Sequence, residues 1–367
     1  MNNQLTFTIP FCDCGATFIN CFTSAYMFLE NISVGKADYD CPQLQGVPCN
    51  SCGKCQKGGN TPISIQQKYY FLFDTMCGCS SLRCRFDGER TEPEKMICDV
   101  DFYDGGTDNN VDFLFGFAGY NYRKLTAPGD FRAEITVSID AGKPVIAKVR
   151  TGDAPFRLII GYNADTAISC PDFTSAQKKP EHAPAYDEID ALYIIGEKTE
   201  PRYTLIDGLK RILYVMEYNT NENLWGGYTE KMGLYTSDSL NNCSIEEKKT
   251  RMKRVAETMW KTFKCHNFAE VFRKYRDDGD ASVYDSVGDM SKLSNPALKE
   301  LWDKISGPCH GYTHDLAWAL IGLEECADWS RHAAGYFGEM VELTIGQINN
   351  NDMEALGAIR KAIEILS

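Results

Sequence analysis

Histidine is scarce. The 367 residues hold five, and none precedes His182. A dyad or triad with an imidazole base therefore cannot be drawn from the first half of the chain. Long apolar runs are also missing. The longest, such as 113–119 and 316–323, fall well short of the ~18–20 residues that span a bilayer. The opening Met1-Asn-Asn-Gln-Leu-Thr-Phe-Thr-Ile-Pro10 has no basic stretch leading into an apolar block. It does not read as a secretory leader, and a cytoplasmic protein is expected. There is no P-loop, no Gly-rich dinucleotide turn and no Gly-x-Ser-x-Gly elbow, so the common phosphate, dinucleotide and serine-hydrolase signatures are absent. Positive charge is in deficit: 38 Lys plus Arg against 51 Asp plus Glu, a net −13. That balance argues against a general nucleic-acid binder and against a polybasic membrane-surface protein. What remains is ordinary globular material, 43% apolar and 24% charged, long enough for two domains and a core that needs no staples.

Cysteine is the exception. Eleven of the 16 lie between Cys12 and Cys98, and the other five follow at long intervals. In a reducing compartment such clustering points to metal ligands or reactive thiols before disulfides. The tightest group is Cys41, Cys49, Cys52 and Cys55, in a loop at 39–62 that has almost no periodicity. Two thiolates two residues apart, followed by a glycine that permits a tight turn, resemble a zinc knuckle, and four thiolates complete a tetrahedral site. Lys54 would offset part of the excess negative charge. No open-position ligand lies in the run, so the zinc is expected to be structural. An iron–sulfur centre and a loop of reduced thiols are the alternatives. Cys12 with Cys14, and Cys77 and Cys79 with Cys84, are further candidates.

Apolar spacing predicts helices at 63–76, at 108–120 with Asp108 as its cap, and at 130–141 opened by Asp130 and closed by Gly142. Strands follow at 144–149, 156–162 and 191–196, and a helix begins after Thr204. Helices preceding strands, rather than alternating with them, indicate an α+β domain. A boundary is expected at 225–244. Beyond it Ser244-Ile-Glu-Glu247 reads as a capping box, with helices at 245–276, 296–305, 314–348 and 352–366.

Residues 14–30 read as a loop running into a helix, with Cys21, Ala25 and Phe28/Leu29 on its buried face. A thiol at the start of a helix faces the positive end of the dipole, which favours the thiolate. The segments Gly15-Ala-Thr-Phe-Ile-Asn-Cys21-Phe-Thr-Ser-Ala, Lys143-Pro-Val-Ile-Ala-Lys148 and Phe156-Arg-Leu-Ile-Ile-Gly-Tyr-Asn163 resemble the motifs of papain-like cysteine peptidases. The closer likeness is to the bacteriocin-processing peptidase-like, butirosin biosynthesis protein H-like group. In that group a nucleophilic cysteine opens the central helix, and a later strand ending in Gly-Tyr-Asn/Asp carries the histidine. The strand Leu192-Tyr-Ile-Ile-Gly196 takes the place of the one bearing the third catalytic residue. The resemblance spans 10–215 and implies a papain-like cysteine-peptidase fold over 1–240; the helical spacing beyond it indicates an all-α helical domain over 241–367.

The pattern is broken at the base. The histidine position, counted back from Gly161, falls on Pro155, and the oxyanion-hole glutamine falls on Gly15. Arg157 is the nearest strongly polar side chain on that strand, with Asp153 just before it, and Asn20 is the nearby amide. An arginine cannot serve as a base at neutral pH. Two functions stay open. One is thioester-forming acyl chemistry at Cys21 (peptidase, amidase or acyltransferase), with Asn20, Arg157 and Asp153 around it and a base from elsewhere. The other is a non-catalytic binding protein on the same fold, with a zinc-held loop, taking a peptide or small molecule.

The remaining polar features read as structural. His310 and His314 sit in a Gly/Pro-containing turn, and Cys265-His266, His182 and His332 stand apart. Trp225 with Tyr228, and Trp318 with Trp329, read as packing anchors. The basic run 248–254 reads as a solvated helix face.

Overall fold

The computed structural model describes residues 2–7, 17–32, 62–78, 109–150, 155–170 and 183–221, together with 242, 244, 246–247, 296, 353, 356–357, 359–364 and 367. Within α2, below, the side chains of 66, 69–70 and 72–76 are described.

Helix α1, Phe18–Leu29, starts where Thr17 turns extended (φ −83°, ψ 163°) and its hydroxyl accepts from the Asn20 N–H at 3.2 Å. The cap comes four residues earlier than the thiol, so Cys21 is the fourth residue of the helix and not its opening residue. At the other end Asn31 takes a left-handed conformation (φ 51°). Its N–H donates to Phe28 O and that of Ile32 to Met27 O, satisfying carbonyls the helix would otherwise leave open. Helix α2, Pro62–Met76, begins with proline, which costs nothing at a first helical position. Helix α3, Asn110–Ala118, is capped by Asn109, whose side chain accepts from Asp112 N–H at 2.9 Å. The cap expected at Asp108 is thus supplied one residue later, and Asp108 lies outside the described residues. Helix α4, Phe131–Asp140, opens on Asp130 and closes with Gly142 at φ +78°, both as the sequence predicts. Gly142 N–H reaches Ile139 O and Lys143 N–H reaches Ser138 O, each at 2.9 Å.

Six strands form one sheet: β1 Asn3–Gln4, β2 Tyr120–Thr126, β3 Val145–Val149, β4 Phe156–Tyr162, β5 Ala167–Ser169 and β6 Ile189–Lys198. Their order is β1-β4-β3-β6-β2, with β5 also paired to β4, and every described pairing is antiparallel. The architecture is α+β. Strands β3, β4 and β6 match the expected ones. Strands β1, β2 and β5 are additions, and β1 and β2 break the expected sequence of helices first and strands afterwards. Their sequences hide them. β1 and β5 are too short to show alternation, and β2 (Tyr-Asn-Tyr-Arg-Lys-Leu-Thr) is a largely exposed edge strand with no apolar face to repeat at every second residue.

Strand alternation divides the sheet between two helical layers. Val145, Ala147, Val149, Ile159, Ile189 and Leu192 pack against Phe131, Ile135 and Ile139 of α4. Phe156 and Tyr193 point the other way, and their rings meet Phe18 of α1 at 5.6 Å and 5.0 Å. Helix α3 shares the α1 layer: Phe115 meets Phe22 at 4.9 Å and stacks on Tyr122 of β2 at 4.4 Å. Phe73 of α2 meets Phe22 and Tyr26 of α1 at 5.0 Å and 5.1 Å. With the sheet, α2 and α3 all against it, α1 is buried from Phe18 through Ala25. Phe28 and Leu29, expected inside, are half-buried.

The chain divides into two compact units, Met1–Phe73 with Cys98–Thr204 and Ala281–Ser286, and Asp74–Ile97 with Leu205–Asp280 and Val287–Ser367. The boundary expected at 240/241 lies outside the described residues. In the second unit helix α5, Leu205–Asn221, receives the end of α2: buried Arg211 donates from Nε to Cys77 O at 3.4 Å. Glu217 of α5 pairs with Arg360 at 2.7 Å. The Ser244 hydroxyl accepts from Glu247 N–H at 3.2 Å, half of the capping box read there. The rest of the expected helical domain has described helical residues only at 246–247, 296, 353, 356–357 and 359–364. Among the described residues no helix is long and apolar enough to cross a membrane.

Candidate functional site

Cys21 lies on the side of α1 that turns to the sheet. It is three residues from Phe18 and four from Ala25, so the three share a helix face, and Phe18 fixes that face against Phe156 and Tyr193. Cys21 and Ala25 are both 0% exposed. The environment decides the thiol's acidity. Burial in apolar surroundings is the largest influence and pushes the pKa up to about 12. The positive charge of Arg157 and a backbone hydrogen bond pull the other way and lose. The helix-start effect anticipated from sequence is overridden by desolvation.

Across from Cys21, β4 offers no base. Phe156 faces α1, and alternation puts Leu158 with it; Arg157 and Ile159 face the α4 side. Arg157 is half-buried, and one of its guanidinium nitrogens donates to Phe156 O at 3.1 Å. Lys148, the cross-strand partner of Phe156, shares the α1 face, but an ammonium has no acceptor to offer. Arg157 therefore reaches Cys21 through its charge, from a residue position on the opposite face of the sheet.

Asn20 turns away from the thiol. Its side chain is 0% exposed, and Oδ1 accepts from Gln66 Nε2 at 2.7 Å; the same nitrogen lies 3.3 Å from Ser24 Oγ. These three residues form a buried polar seam between α1 and α2. Gln66 Oε1 is buried there without a hydrogen-bond partner. Gln66 escaped the sequence reading, yet a signal existed: Gln66, Tyr70 and Phe73 follow at helical spacing, so a polar residue stands in register with an apolar stripe. All three are buried.

A second polar cluster had no sequence signal, because its members are far apart in the chain. Glu30, at the end of α1, accepts from Tyr120 OH and from Lys198 Nζ, each at 2.6 Å. Burial pushes the Glu30 carboxyl up, but the hydrogen bonds from Lys198 and Tyr120 and the Lys198 charge outweigh it and hold the group below its ordinary value. Around it phenols become weaker acids. Burial first, then the Glu30 charge, raises Tyr26 to about 12 and raises Tyr69. Burial, the hydrogen bond to Glu30 and its charge also raise Tyr120.

Asp153 and the four cysteines Cys41, Cys49, Cys52 and Cys55 lie outside the described residues, as do Cys12, Cys14, Cys79, Cys84, all five histidines and the tryptophans Trp225, Trp318 and Trp329. Cys77 is buried, with Sγ 3.4 Å from Asp74 O. Among the described residues no group of three or more His, Cys, Asp and Glu could hold a metal ion. The chain matches no protein-family model and no curated protein.

Proposed function

We propose that this protein is a non-catalytic binding protein built on a papain-like scaffold, taking a peptide or small molecule, with its Cys-rich loop at 39–62 held by a structural zinc. One observation carries the reading: Cys21 is 0% exposed, and burial pushes its thiol pKa up to about 12. A nucleophilic cysteine needs the thiolate at neutral pH and a proton acceptor within hydrogen-bond reach. Cys21 has burial working against the first, and β4 turns Phe156, not a proton acceptor, toward α1. The scaffold part of the proposal is supported by the α+β class, by a buried helix carrying the cysteine, and by an antiparallel strand β4 that ends in Gly161-Tyr162.

The test is alkylation of the native full-length chain with iodoacetamide at neutral pH, read out peptide by peptide. The expected result is a Cys21 peptide that stays unmodified until the protein is unfolded. Fast, selective modification of Cys21 in the native state, abolished by Cys21→Ala, would overturn the proposal. It would restore thioester chemistry at Cys21, with a base supplied from elsewhere in the chain.

A further inference from the structure

We draw no further inference here: the strongest candidate, the exposed outer edge of the sheet along β2, carries nothing, because its two cations are already engaged, Arg123 by Glu134 and Lys124 over the Tyr193 ring, and nothing in the structure shows what covers it.

Discussion

A thiol near a helix start feels two opposing effects. The helix dipole and a nearby guanidinium favour the thiolate, while loss of water disfavours it. At Cys21 the second wins: burial pushes the pKa up to about 12, and the thiol stays protonated at neutral pH. Cys21 then behaves as a small core residue beside Phe18. Cys21→Ala should cost about 1 kcal/mol and Phe18→Ala about 3–5 kcal/mol, since the ring fills far more of the helix–sheet contact. Urea midpoints rank the two; equal costs would show that Cys21 does more than pack. Glu30 gives a prediction of opposite character. Its folded pKa is lowered, so its contribution is complete above the unfolded carboxylate value and fades as pH falls through the folded one. Tyr120 is raised, so its contribution is complete below the unfolded phenol value and is lost as pH climbs through the folded one. Glu30→Gln should flatten the acid limb of stability against pH and make Tyr120 ionise earlier, followed by phenolate absorbance. An unchanged acid limb would mean that the cluster contributes nothing.

Helix ends were legible because capping is local. Asp130 and Gly142 are read directly from the sequence as the bounds of α4, since a carboxylate at an N-cap and a left-handed glycine past the last turn answer needs set within a few residues. The glycines also separate local from tertiary demands. Gly119 and Gly142 share a left-handed backbone, at φ +74° and +78°. A Cβ on Gly142 would meet nothing within 4 Å, whereas on Gly119 it would lie 2.6 Å from the Thr199 carbonyl. Gly142→Ala should therefore cost about 1 kcal/mol for the backbone alone, and Gly119→Ala roughly 3 kcal/mol or more. Thermal or urea unfolding of the pair tests the difference, and equal losses would discount the contact. Edge strand β2 was not legible. Its place comes from pairing with β6 across the register Tyr122 to Ile195 and Thr126 to Ala191, information held by a segment far away in the chain.

The α+β class follows from the elements themselves, because helices and strands announce their own periodicities. Metal loading is a property of the whole chain. If Cys41, Cys49, Cys52 and Cys55 close a tetrahedral site, full-length protein prepared without oxygen should carry about one zinc per chain, and Cys52→Ser should lose it. Equal metal content in the two proteins, or none in either, would remove the zinc from the proposal. The sequence alone determined where α4 begins and ends, that 144–149, 156–162 and 191–196 form strands, and that no histidine precedes His182. Only the tertiary structure decided the chemistry of Cys21. Acidity depends on how far the sulfur is removed from water, and the burial of that face of α1 comes from residues such as Phe156 and Tyr193, brought to Phe18 from the sheet. The same holds for Asn20, which the sequence sets beside the thiol and which the fold commits to Gln66 of another helix. Adjacent residues on a helix point about 100° apart, so neighbours in the chain belong to different interfaces.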